Sequence, residues 1–513
     1  MKPMHTISCS GREDQGPLRF QLSGKYLLSI LAAVLLSSAA CMVGPKYKRP
    51  TAPVPSVYKE QITTSTGQAS NWKPAQPNDA AVRGKWWEVF NDPELNTLED
   101  QVNISNQNVL AAEAQFRAAR DSVRIARSSL FPMATANALY TNSRTSSTLF
   151  NVTAGNLTSG ERSIYNLPVD ISYQADVWGS IRRTVRGSAE SAQATAAQLE
   201  NVRLAFQAAL AQDYFELHGV DGEREILNQT VKSYADYLQL TKDRQASGVA
   251  SGADVAQAET QLKTAQAQLI DLGVARAQFE HAIAILIGKP PAELTIPESP
   301  IKSQPPGIPA GVPTDLLQRR PDIAAAERQM AAANEQIGIA RAAYFPSLLL
   351  SGTVGLESGS IADWFTWPSR IWSVGPQVAE TVFDAGRRRA VSDLARSDFD
   401  LSVANYRQTV LTAFQQVEDN LAALRILADE SHAEDDAVKS AQQSLDVSTY
   451  QYKAGVASYL QVITAQAFVL QDTLTSVNIH TRRMAASVLL IEALGGGWNA
   501  SSLPTVRQLT GKR

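Results

Sequence analysis

Between Arg387 and Ala454 lie 68 consecutive residues with neither glycine nor proline. Alternating strides of three and four meet Val403, Tyr406, Val410, Ala413, Val417, Asn420, Leu424 and Leu427, so all but one position of the stripe is apolar. That spacing is the seam of a helix facing another helix. An unbroken helix of this length would run roughly 100 Å, about three times the hydrocarbon thickness of a bilayer. A rod that long needs partners along its whole length.

The partners are written into the same chain. Residues 111–132 match 325–346 at an offset of 214, including Ala111, Ala112, Glu113, Gln115, Ile125, Ala126, Arg127, Phe131 and Pro132. Gly248-Val249-Ala250-Ser251 recurs as Gly455-Val456-Ala457-Ser458. Each half reads as a shorter helix, Phe-Pro, two short segments, a long helix, a GVAS turn and a further helix, which is an internal duplication. The first half starts near Trp86, with Asp92 as helix cap and Pro93 at the first helical position, and its helix is expected to continue to Phe131. Its long helix spans Ser180 to about Ala246, with Gly187, Gly219 and Gly222 as weak points. Asp254 caps or opens the following helix. Proline-rich residues 288–314 cross over to the second half, which stops at Gly495-Gly496-Gly497-Trp498. The expected divisions are a signal at 1–40, a leader at 41–85, repeats at 86–300 and 301–498, and a tail at 499–513.

The short segments between helices alternate. Tyr165, Leu167, Val169, Ile171, Tyr173, Ala175 and Val177 interleave with Asn166, Pro168, Asp170, Ser172, Gln174 and Asp176. Trp372, Val374, Pro376, Val378 and Val382 repeat the pattern, broken at Glu380. Weaker strands are expected at about 133–146 and 346–356. One reading packs a small sheet on the helices. The other puts the apolar face in lipid and the polar face around water. Four strands cannot close, and hydrocarbon does not tolerate an open sheet edge, so the second reading requires several copies. Two copies would give eight strands; three, which we prefer, give twelve.

The N-terminus is read as an export signal. Tyr26–Ala40 is apolar, follows Lys25, is too short to span a bilayer and leads through small residues to Cys41. This resembles a lipoprotein signal cut before Cys41 and acylated on it, although Ser38 stands where leucine is usual. Met42, rather than aspartate, agrees with outer-membrane sorting. The only other cysteine is Cys9, which leaves no thiol for a disulfide or zinc site in the body of the chain. His5, His218, His281, His432 and His480 lack metal-ligand spacing and read as helix-surface residues. No phosphate loop or nucleophile–base pair stands out, and the formal charge of −3 shows no bias towards nucleic acid. No enzyme activity, cofactor or metal is expected. The acidic run Asp429–Asp436 reads as a solvated face, with tunnel lining as the alternative.

Val43-Gly44-Pro45-Lys46-Tyr47, Trp86-Trp87, Trp178-Gly179, Leu316 through Ile323, Phe383-Asp384-Ala385-Gly386-Arg387, both GVAS turns and the closing Ala493–Trp498 resemble, in order, the TolC-like outer-membrane efflux proteins, in the lipoprotein branch serving resistance-nodulation-division (RND) pumps. The resemblance implies a mainly α protein with transmembrane β: a homotrimer with a twelve-stranded outer-membrane barrel, four strands per protomer, continued by a long α-helical barrel through the periplasm. It implies a passive exit duct fed by an inner-membrane RND pump through a periplasmic adaptor, and contact with outer-membrane lipid. Adaptor docking would fall on Gly248, Val249, Ala250, Ser251, Gly455, Val456, Ala457 and Ser458. The periplasmic aperture would use Asp254, Tyr452, Leu460 and Thr464, with Tyr452 bonded to Asp254. Gln451 stands where arginine is common and Thr464 where an aspartate ring can lie, so a looser lock is expected. A coiled-coil envelope lipoprotein and an outer-membrane component of protein secretion are the rival readings.

Overall fold

The computed structural model describes residues 42–62, 84–144, 146, 161–311 and 313–511. The export signal, Cys41, residues 63–83 and most of the 143–163 connection lie outside them. The chain divides into two units, and each draws on both sequence halves: one holds Pro132–Ser180 and Phe345–Thr381, the other holds the helices.

The first unit is an antiparallel meander. β1 (Met133–Ala136) and β2 (Leu139–Arg144) both pair with β3 (Glu161–Ala175), which pairs with β4 (Ser347–Ser358), which pairs with β5 (Arg370–Ala379). The first expected strand is thus broken, with Asn137 N–H donating to the Pro168 carbonyl at 3.1 Å across the gap. β3 starts four residues before the clean alternation, and β5 ends at Ala379, so Glu380, the exception to the pattern, lies beyond the strand, and so does Val382, which was expected within it. Proline inside a paired strand has no N–H for the ladder. Pro168 is accommodated because its register partner is Gly355, where a Cβ would sit 2.5 Å from the Leu167 carbonyl oxygen.

Register partners share a face, which places Leu167, Val169, Ile171 and Tyr173 with Leu356, Val354, Gly352 and Leu350, and the last four in turn with Arg370, Trp372, Val374 and Pro376. The opposite face carries Asp170, Ser172, Gln174, Thr353, Ser373 and Gln377, with Thr353 Oγ1 donating to Asp170 Oδ1 at 2.7 Å. Trp372, Val374 and Val378 are 79%, 80% and 68% exposed. On β5 the apolar face is therefore left uncovered.

In the second unit α1 (Pro93–Ser105) and α2 (Gln107–Ser128) are followed by α3 (Ser180–Ala246) and α4 (Gly252–Leu286). The second half supplies a short turn Leu316–Arg319, then α5 (Pro321–Ala342), α6 (Arg387–Lys453) and α7 (Tyr459–Ala493). α3 and α6 each have 67 residues, and α4 and α7 each have 35. The duplication is thus kept to the residue in the hairpins. The stripe read from the sequence faces inward: Tyr406, Val410, Ala413, Val417 and Leu427 are buried, and Val403 and Leu424 pack against the core.

Two expectations fail here. The first helix does not run unbroken to Phe131. At Asn106 the backbone turns to φ −64°, ψ 120°, the side chain caps the N–H groups of Asn108 and Val109, and Nδ2 donates to the Leu286 carbonyl at 2.8 Å. Its counterpart at offset 214, Arg320, breaks the second half in the same place, helped there by Pro321. The α3 glycines are not weak points either. α3 runs through all three, and a Cβ on Gly219 would come 2.4 Å from Thr481 Oγ1, so glycine permits close helix approach.

The crossover is fastened from both hairpins. His218 Nδ1 lies 2.6 Å from the Ser299 carbonyl oxygen and His480 Nε2 lies 3.0 Å from that of Ser303. Asp221 accepts from Ser299 N–H and from Arg276 Nε, while Arg276 Nη2 donates to the Ile296 carbonyl. His218 is 4% exposed, so reading it as a helix-surface residue was wrong. The leader is fastened too: Tyr47 donates to Glu327, Arg49 to Tyr406, and Glu418 accepts the N–H groups of Lys59 and Glu60.

Candidate functional site

The two GVAS segments close their hairpins by one geometry. Gly248 (φ +74°) and Gly455 (φ +78°) adopt the left-handed conformation that lets a helix end sharply. Val249 N–H donates to the Arg244 carbonyl at 2.8 Å and Gly248 N–H to that of Gln245 at 2.9 Å; Val456 and Gly455 repeat this with Gln451 and Tyr452, both at 3.0 Å. Such a turn commonly tucks its following apolar residue back onto the helix. Here Val249 and Val456 are 65% and 80% exposed. Ala250, Ser251, Ala457 and Ser458 complete the turns. Two loops of identical sequence thus each leave a valine exposed.

Capping differs between the two. Ser251 and Asp254 form a capping box: Asp254 N–H donates to Ser251 Oγ at 3.2 Å, and Asp254 Oδ2 accepts from Ser251 N–H at 2.9 Å. Ser458 makes no side-chain cap bond. Asp254 is therefore committed to its own helix, and within one chain it does not meet Tyr452. Tyr452 is 4% exposed, and its hydroxyl has no hydrogen-bond partner among the described residues. Its ring lies 5.3 Å from that of Tyr459 and carries the Arg244 guanidinium 4.5 Å above it. Arg244 Nη1 also donates to the Lys453 carbonyl at 3.4 Å, linking the end of α3 to the end of α6. Burial, together with Tyr452, Tyr234 and Tyr237, pushes the Tyr459 hydroxyl far above its ordinary pKa, so it stays neutral. Leu460 and Thr464, one turn apart on α7, are both exposed, and Thr464 Oγ1 donates back to the Leu460 carbonyl.

Arg244 escaped the sequence reading. The signal was present: the GVAS turns repeat at an offset of 207, and Arg244 is the counterpart of Gln451 at that offset. The cation absent from the second half sits in the first. Beside these tyrosines a cavity of about 660 Å³ opens between α3, α6 and α7, lined by Ser233, Tyr237, Asp446, Thr449, Lys453 and Gln466.

The sheet has dimensions of its own. From Tyr165 to Ala175 the apolar face runs about 33 Å along β3 at the usual rise, or roughly 25 Å in height at a barrel tilt. Aromatic rings close both ends: Tyr140 on Tyr165 (4.8 Å) and Tyr165 on Trp364 (5.5 Å) at one, Trp178 stacked on Phe345 (4.6 Å) at the other. That is the profile of an outer-membrane barrel wall. Among the described residues no cluster of histidine, cysteine or carboxylates could hold a metal, and no helix is long and apolar enough to cross a membrane.

Comparison with known proteins gives a consistent answer. The family model described as "Outer membrane efflux protein" matches residues 98–289 and 312–496. The probable efflux pump outer membrane protein SepC of Pseudomonas putida is 32% identical over 486 residues, covering 94% of this chain and 99% of its own. The outer membrane protein OprJ of Pseudomonas aeruginosa is 31% identical over 474 residues, covering 91% and 95%. Among solved structures, a membrane protein from Pseudomonas aeruginosa superposes with a TM-score of 0.81 at 30% identity, over 89% of this chain and 98% of that one. The open state of the Neisseria gonorrhoeae MtrE outer membrane channel gives 0.75 at 25% identity, over 90% and 99%.

Proposed function

Because the chain belongs to the outer membrane efflux protein family and is an outer-membrane efflux channel rather than an enzyme, we propose that three copies share one pore and that the GVAS turns receive a periplasmic adaptor. The observation carrying this is the sheet: it has one exposed apolar face, one polar face, and β1/β2 and β5 as edges with no further strand beside them among the described residues. Unpaired edges in hydrocarbon leave main-chain groups without partners. A ring of three copies removes every edge and gives twelve strands. Cys41 carries the acyl anchor after removal of residues 1–40. A single acyl chain holds a membrane marginally, and the barrel supplies the firm attachment.

Energy comes from an inner-membrane RND pump, whose adaptor meets Val249 and Val456 on the turns Gly248–Ser251 and Gly455–Ser458. The aperture consists of Leu460 and Thr464 facing the passage, Tyr452 behind them and Asp254 at the first cap. Arg244 holds Tyr452 in place within each copy, and the Tyr452 hydroxyl remains for a contact from a neighbouring copy. The test is reconstitution: purified protein in a planar bilayer should conduct ions as an assembly of three chains. A coiled-coil envelope lipoprotein would not conduct, and a non-conducting monomer would end this reading.

A further inference from the structure

At the end of the sheet remote from the helix connections, Arg370 pairs in register with Leu356, which in turn pairs with Leu167, so its side chain belongs to the apolar face. Its Nε donates to the Trp367 carbonyl at 2.9 Å and its guanidinium lies over the Trp367 ring. Neither terminal nitrogen has a hydrogen-bond or ion-pair partner among the described residues. Trp367 is 75% exposed, as are, to similar extents, Phe365 and Ile361 in the same connection. The row Tyr140, Tyr165, Trp364 and Phe365 runs alongside, with successive ring centroids 4.8, 5.5 and 5.0 Å apart.

Aromatic rows of this kind settle at the boundary between hydrocarbon and headgroups. A guanidinium there, beside an indole and held by its Nε, has one donor already committed and its terminal nitrogens free for a ligand. Its two remaining N–H edges form the fork that takes a phosphate by two parallel hydrogen bonds. We propose that Arg370, with Trp367 as platform, binds the phosphomonoester headgroup of an anionic lipid in the outer leaflet, one per protomer. The acyl chains would lie along Trp372, Val374 and Val378, a surface continuous with the membrane face. Charge and hydrophobicity thus select a lipid, since a soluble phosphate would leave the apolar strip beneath uncovered. The inference rests on this sheet standing in the outer membrane.

Native mass spectrometry of the detergent-solubilised assembly, titrated with phosphatidate and with phosphatidylcholine, tests it. Wild type should retain phosphatidate in preference to phosphatidylcholine. Arg370→Gln should weaken that retention about tenfold, the scale of a lost charge-assisted pair, and Arg370→Lys should restore part of it. Arg389→Gln, at an exposed helical arginine, should change nothing. Equal retention by Arg370→Gln and wild type would overturn the proposal, as would displacement of the lipid by millimolar inorganic phosphate, which would mark a free-anion site. All variants should still insert and conduct. Conduction without phosphatidate preference refutes the lipid site alone, whereas failure of wild type to insert refutes the membrane reading beneath it.

Discussion

In the proposed aperture, Arg244, stacked over the Tyr452 ring, stands in for the cation that Gln451 does not supply. A stacked guanidinium is worth about 1 kcal/mol, so Arg244→Gln should raise the open probability of single channels roughly fivefold. An unchanged open probability would remove Arg244 from the aperture. Tyr452→Phe separates two contributions. The hydroxyl has no partner among the described residues, so protomer stability should not fall, and any gain in conductance reports a contact between copies. Glu99 is a different case. It is fully buried, both carboxyl oxygens lack partners among the described residues, and burial holds its pKa well above 4.5. The folded chain therefore binds this proton more tightly than the unfolded chain does. Stability from this site is present in acid and falls as pH rises above about 4.5 through the folded pKa. Glu99→Gln should raise the melting temperature at pH 8 and flatten its decline between pH 5 and 8; a parallel, unshifted profile would contradict this. Neither residue was legible alone. Arg244 needed the 207-residue offset, and Glu99 sits in a polar stretch, Leu98-Glu99-Asp100-Gln101, whose burial depends on packing distant in sequence.

The long helices and the alternating strands were legible because periodicity is local. The seam from Val403 to Leu427 needed only a helical stride, and β3 needed only alternation. Breaks set by tertiary partners were not: Asn106 ends α1 because its amide reaches Leu286, and no proline marks the spot. Gly219 looked like a helix weak point until Thr481 stood against it. The turns were visible as GVAS, whereas the exposure of Val249 and Val456 was not. Replacing Gly248 and Gly455 together with leucine should abolish efflux while assemblies still form, since the left-handed backbone would be lost and the docking surface reshaped. Normal drug resistance in that double variant would refute docking at the turns. Gly355→Val is expected to prevent barrel assembly, because its side chain would meet Leu167 and Pro168 across the ladder; undiminished assembly, measured by heat-resistant oligomers on gels, would show that β3 and β4 can separate locally.

For the whole molecule the governing fact is incompleteness. A sheet with a lipid-facing side, a water-facing side and two edges that no further strand covers among the described residues satisfies its main-chain groups only by joining others like itself. The helices meet a similar demand, since Leu401, Leu411 and Ile426 on α6 and Ile270 and Val274 on α4 remain exposed in the single chain. The most direct test places one cysteine at Thr135 or Thr141 on the β1/β2 edge and another at Ser373 on β5, all on the polar face, and oxidises the protein in its membrane. Three copies closing edge to edge should yield covalent trimers with at least one pairing and nothing larger. Monomers alone, or open ladders of dimers and higher multimers, would contradict a closed barrel of three.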